Sequence, residues 1–240
     1  MLVIPFLAGA VFLIGPCIVK LSRHPEETER LSMGMAFGAL TGLFIFDLGS
    51  EMAEAATMVG FLPVLLSLIF GYGILRLLDR FVPNHESAAS NGREEHTVHI
   101  GTMAAFALIL HNLLEGATIY SLALLSWKDS ALFALGVSLH NIPMSILLGS
   151  VLERHYTRKR LALFGAVTLS TFVGALIIAS VHGLLTETVM AVLVSSASGM
   201  VLFLIFKELL PHIIRMKPVR TVVLSVIVGW MLVLAGTLLA

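Results

Sequence analysis

Residues 100–127 read IGTMAAFALILHNLLEGATIYSLALLSW, about 28 residues in which Glu115 is the only formal charge. A run of that length and apolarity crosses a hydrocarbon core about 30 Å thick as a helix. His111-Asn112-Leu113-Leu114-Glu115 lies near its middle. An acid at that depth costs roughly 2.5–3.5 kcal/mol on the insertion scale, so it points to a function and to a partner close by. Residues 131–152, ALFALGVSLHNIPMSILLGSVL, carry His140-Asn141-Ile142-Pro143-Met144 at the same depth of the next apolar run. Two polar clusters at matching depth predict one shared site.

The rest of the chain has the same character. Of its 240 residues, 58% are hydrophobic and 12% charged, and the mean hydropathy is +0.97. Soluble domains hold about 25% charged residues, so this is membrane composition. A formal charge of zero gives no bulk basic signal for nucleic acid. The single cysteine, Cys17, excludes an intrachain disulfide and a cysteine metal cage. Met1-Leu2-Val3-Ile4-Pro5 lacks the basic n-region of a cleaved signal peptide, so the first apolar run is expected to stay as a span.

Hydropathy divides the chain into eight spans, near 2–19, 31–53, 61–78, 100–127, 131–152, 161–182, 188–206 and 219–239. They form one all-α transmembrane domain over residues 1–240, with a single longer connection at about 79–99. Fourteen of the 15 lysines and arginines flank the odd-numbered loops, and Lys128 is the exception. The positive-inside rule therefore predicts cytoplasmic odd loops and both termini outside.

His111 and Glu115 are four residues apart and share one helix face, with Asn112 bordering it about 100° away. Imidazole and carboxylate together suit zinc, manganese, iron, cobalt or nickel. The same pair could also be a hydrogen bond that glues two helices. His140 and Met144 repeat the spacing and Asn141 repeats Asn112, while Pro143 should loosen the helix by clashing with the carbonyl of Leu139. Similar motifs on antiparallel helices at the midplane predict inverted repeats around a central site. A fainter echo links Phe46-Asp47-Leu48 and Glu51 to Phe206-Lys207-Glu208 and His212. These acids are expected at the outer and inner mouths, where they would attract cations or serve as ordinary interfacial caps. His85, His96 and His99 in the long connection are candidates for loose metal binding, or part of a solvated linker. Gly34, Gly38, Gly42, Ser195, Ser196, Ser198 and Gly199 should let helices approach closely.

His111-Asn112-Leu113-Leu114-Glu115-Gly116 and His140-Asn141-Ile142-Pro143 resemble the paired HNxPEG-type motifs of the Zrt/Irt-like (ZIP) metal transporters. Ser198-Gly199-Met200-Val201 with Lys207-Glu208-Leu209-Leu210-Pro211-His212 is similar to that family's seventh-helix pattern. The resemblance implies import of divalent metal into the cytoplasm across the plasma or inner membrane, by movement of one helix group against another. Zinc is the first expectation, with iron, manganese, cobalt, nickel and cadmium as other cargoes and a homodimer as the assembly. It also implies that His111, Glu115 and His140 are primary-site ligands, and that Asn112 and Asn141 line a second site. Met144 stands where the family commonly has a metal-bridging glutamate, and Thr171-Phe172-Val173 replaces a Glu-Pro pair. The expectation is therefore a single-metal site, with Met144 as a soft ligand that favours softer metals. Ligation needs neutral imidazoles, so uptake should weaken below about pH 6.5. Two other functions compete: a non-transporting metal sensor or degenerate relative, and a membrane-embedded metal hydrolase. The hydrolase lacks a His-Glu-x-x-His motif, and neither Ser138 nor Ser145 has an evident partner.

Overall fold

A computed structural model describes residues 1–81, 92–154, 158–181, 186–215 and 220–239, with the side chains of 25, 26, 92–98, 151–154 and 159 left undescribed. Among the described residues, eight helical runs are long and apolar enough to cross a membrane, as the hydropathy predicts. They are α1 (Val3–Leu21), α2 (Glu27–Val59), α3 (Phe61–Asp79), α4 (Gly92–Leu125), α5 (Trp127–Arg154), α6 (Arg158–Ser180), α7 (Glu187–Arg215) and α8 (Arg220–Leu239).

Several limits differ from the sequence expectation, each for a local reason. Trp127 opens α5 instead of closing α4. Ser126 alone separates the two helices, and its Oγ caps α5 by accepting from the backbone N–H of Asp129 at 3.3 Å. Ser130 Oγ then donates to the carbonyl of Ile119 at 2.8 Å, pinning the start of α5 against α4. Glu115 lies eleven residues before Ser126 and His140 fourteen after it. At 1.5 Å per residue these are depths of about 16 and 21 Å, both mid-membrane. Between α2 and α3 only Gly60 intervenes, at φ 91°, a conformation that glycine adopts without a Cβ penalty. The connection expected at 79–99 is shorter, because α4 already runs from Gly92.

Two helices contain a wide π turn. In α2 it covers Phe44–Leu48, and in α7 it covers Leu204–Leu209. Pro211 explains the second: a proline has no N–H to donate and crowds the carbonyl four residues back, and a wider turn relieves both problems. Through that turn α7 continues to Arg215 instead of ending at Phe206. Pro143, by contrast, sits inside an unbroken α5.

Pairs of helices are drawn together where a Cβ would collide with a neighbour's backbone. Gly116 of α4 lies on the carbonyl of Thr171 and Gly174 of α6 on that of Leu113. Reciprocal contacts join α3 to α7 through Gly71 and Gly199, and α1 to α5 through Gly15 and Gly149. Gly34, Gly38 and Gly42 of α2 meet Ser225, Val226 and Val233 of α8, as the small-residue pattern predicts. The result is one group containing α1, α4, α5 and α6 and another containing α2, α3, α7 and α8, with α5 packed against both α2 and α8.

Candidate metal centre

The α4–α5 hairpin brings His111, Glu115 and His140 together, each buried. Glu115 Oε1 lies 2.9 Å from His111 Nε2 and 2.6 Å from His140 Nε2, and the two imidazole centroids are 6.0 Å apart. Asn141 Nδ2 donates to Glu115 Oε2 at 3.3 Å. The three ligating atoms fall within 4.8 Å of one another. Around tetrahedral zinc, with bonds near 2.0–2.1 Å, neighbouring ligand atoms stand about 3.3 Å apart. Admitting an ion therefore requires opening this trio by less than an ångström. Three protein ligands leave one position free, whereas structural zinc sites are closed by four. An arrangement with one open position suits an ion that must enter and leave.

The other residues expected at the site divide. Asn112 turns away from Glu115, and its Nδ2 donates to the carbonyl of Val167 on α6 at 3.3 Å. Thr171, also on α6, is fully buried. Among the described residues neither Asn112 Oδ1 nor Thr171 Oγ1 has a hydrogen-bond partner. Met144 is buried within the main apolar core, among side chains such as Leu147 and Phe203. Neither Met144 nor Thr171 brings a charge, so the positions expected around a second ion are neutral.

Asp47 and Glu51 are closer to the centre than the expected outer mouth. They line one cavity together with His111, Glu115, Leu114 and Thr118. Sequence reasoning missed Thr118, one turn from Leu114, because a threonine that donates to a carbonyl of its own helix resembles ordinary helix filler. Asp47 lies in the π turn of α2, and Glu51 follows one turn later. Glu54, by contrast, is exposed. When ionised, these two carboxylates would add negative charge to the cavity beside Glu115, the single carboxylate of the trio.

A second polar cluster lies toward the other end of the bundle. His99 Nε2 is 3.0 Å from Asp79 Oδ1 at the end of α3 and 3.6 Å from Glu208 Oε1 in the π turn of α7. Arg76 also holds Asp79, at 2.9 Å. His99 was expected in a loop; it is instead 1% exposed and helical, in the early turns of α4. Glu208 and His212 are buried, not exposed at a mouth, because α7 runs on past Phe206, while Lys207 faces outward. His85 lies outside the described residues, as does the side chain of His96.

A scan against protein-family models finds no match. Among curated proteins, the chain is 31% identical over 127 residues to the zinc transporter ZupT of Neisseria meningitidis serogroup C, covering 47% of each chain. The ZupT proteins of serogroups A and B match equally. The chain thus spans about half the length of the curated relatives it matches. The similarity agrees with what the residues show independently: eight apolar helices, paired His-Asn motifs meeting at mid-depth, and a glutamate between the histidines. By its eight apolar helices this chain is a multi-pass membrane protein, and over the matched residues it is similar to zinc transporters.

Proposed function

We propose that the chain carries divalent transition-metal ions, zinc first, across the inner or plasma membrane into the cytoplasm, one ion at a time through His111, Glu115 and His140. The convergence of two imidazoles on one buried carboxylate oxygen carries this reading, and the zinc transporters it resembles support the cargo. Iron, manganese, cobalt, nickel and cadmium suit the same nitrogen and oxygen donors. Basic residues on the odd loops support an orientation with both termini outside. In that orientation Asp47 and Glu51 gather the ion from the outer side, and Asp79, His99, Glu208 and His212 receive it on the inner side. The matched relatives are transporters, which leaves the hydrolase without support. A homodimer is the assembly proposed with it.

The neutral residues Met144 and Thr171 favour a second reading, a chain that binds metal without moving it. Proteoliposomes filled with a zinc-sensitive fluorophore separate the two. Zinc-dependent uptake that disappears in His111→Ala and Glu115→Ala establishes transport. Stoichiometric binding with no flux establishes the sensor. No binding at all removes both.

A further inference from the structure

The two π turns are held open differently. In α7 the cause is within the helix, at Pro211. The corresponding stretch of α2, Gly42 to Val59, contains no proline. π turns are rare and poorer in energy than α-helix, so this one must be held from outside.

Trp230, on α8, is in position to do so. Its Nε1–H donates to Thr41 Oγ1 at 2.7 Å, and its ring meets Phe46 edge-on, with centroids 5.8 Å apart. Thr41 Oγ1 in turn donates to the carbonyls of Phe37 at 2.7 Å and Gly38 at 3.0 Å, the back-bonding that bends a helix. One tryptophan thus grips α2 just before the wide turn and again inside it. Below that grip the glycine contacts fix α2 to α8, so a change in the wide turn is taken up by the segment beyond it, which packs on α3 and α7. An interfacial anchor is the ordinary role for a membrane tryptophan. Trp230 lies halfway along α8, too deep for that role.

We infer that Trp230 is a positioning residue: it holds the π turn of α2 open and so aims Asp47 and Glu51 into the cavity they share with His111 and Glu115. Without the extra residue in the turn, everything beyond it rotates by about 100° relative to the zippered half. Asp47 and Glu51 then leave the cavity wall. Only the effect on uptake rests on the transport reading; the clamp itself concerns the geometry of α2.

Uptake of Zn2+ into proteoliposomes tests it with Trp230→Phe, which keeps a ring, Thr41→Val, which removes the acceptor, and Trp230→Ala. Each should raise the half-saturating Zn2+ concentration, about fivefold for the first two, with the maximal rate little changed. In an Asp47→Asn/Glu51→Gln background the same changes should have almost no further effect. Equal fold-changes in both backgrounds, or a fall in maximal rate alone, would overturn the inference. If wild-type vesicles show no uptake, the transport reading fails and the clamp is judged by fluorescence. Trp127 and Trp230 are the two tryptophans, so in Trp127→Phe the emission reports Trp230 alone. Zn2+ should shift that emission saturably, and Asp47→Asn should abolish the response. A flat titration, or one indifferent to Asp47→Asn, refutes the clamp.

Discussion

Replacing Glu115 by glutamine keeps the shape of the side chain and removes its charge. One Glu115 oxygen is shared by two imidazoles and the other accepts from Asn141, so the substitution acts where all three meet. With a metal ion in place, the lost charge faces a divalent cation. Even a single positive charge at 4 Å is worth about 4 kcal/mol at an effective dielectric of 20. That is a floor for the divalent ion, and it corresponds to roughly a thousandfold weaker zinc binding. Without metal the consequence is small. A glutamine oxygen still accepts from one imidazole, and the exchange of charged for neutral hydrogen bonds costs about 1 kcal/mol, offset by no longer burying a charge.

The two effects therefore separate, which makes the variant informative. Zinc affinity of the purified full chain is measured by competition with a chromophoric chelator, and folding by the thermal midpoint in detergent. A metal site predicts affinity down by about a thousandfold with the metal-free midpoint nearly unchanged, and loss of the zinc-dependent rise in that midpoint. A helix-packing pair predicts the reverse. If Glu115→Gln lowered the midpoint but bound zinc within about tenfold of wild type, the reasoning from the shared carboxylate would be refuted.

Cobalt spectra follow ligand type: if Met144 is only core packing, Met144→Ala leaves the sulfur-to-metal charge-transfer region unchanged, whereas a soft ligand would lose it. Uptake should fall as the external medium is acidified, since protonated imidazole cannot ligate, and a steady rise from about pH 7 to 5 would contradict the histidine site. Gly116→Val should cost roughly 1–3 kcal/mol, read as a lower thermal midpoint, because its Cβ falls on the Thr171 carbonyl. Gly73→Ala, with open space around its Cβ, is the matched control and should be neutral or mildly stabilising.

Length and apolarity alone carry most of the fold, because a span must satisfy its backbone internally and so must be a helix. The trio His111, Glu115 and His140 was legible for a related reason: a polar side chain in hydrocarbon is conspicuous against its background. What stayed hidden depends on which neighbour a side chain meets. Helix periodicity gives the angle of Asp47 around α2 only if the helix is regular, and the π turn at Phe44–Leu48 resets that angle. The true end of α7 was obscured in the same way, since Lys207 and Glu208 look like a terminus until the wide turn sends one outward and the other in. His99 looked like linker because its partners, Asp79 and Glu208, come from two other helices.

The two asparagines show where a repeated motif stops being a repeated structure. Asn112 and Asn141 each follow a histidine, and sequence treats them alike. Asn141 finds Glu115 and donates to it at 3.3 Å. The corresponding acceptor for Asn112 would be a carboxylate at position 144, four residues after His140 as Glu115 is four after His111. Met144 offers none; Asn112 satisfies its amide on the backbone of α6 at Val167, and among the described residues its own oxygen has no partner. A buried amide left half-satisfied costs about 1–3 kcal/mol, and a chain retains such a cost where the surrounding packing leaves no better choice. Met144 therefore removes a charge and also the reason for Asn112 to face the centre. The asymmetry of the site follows from that one position: all of its polar groups gather on the side of Glu115.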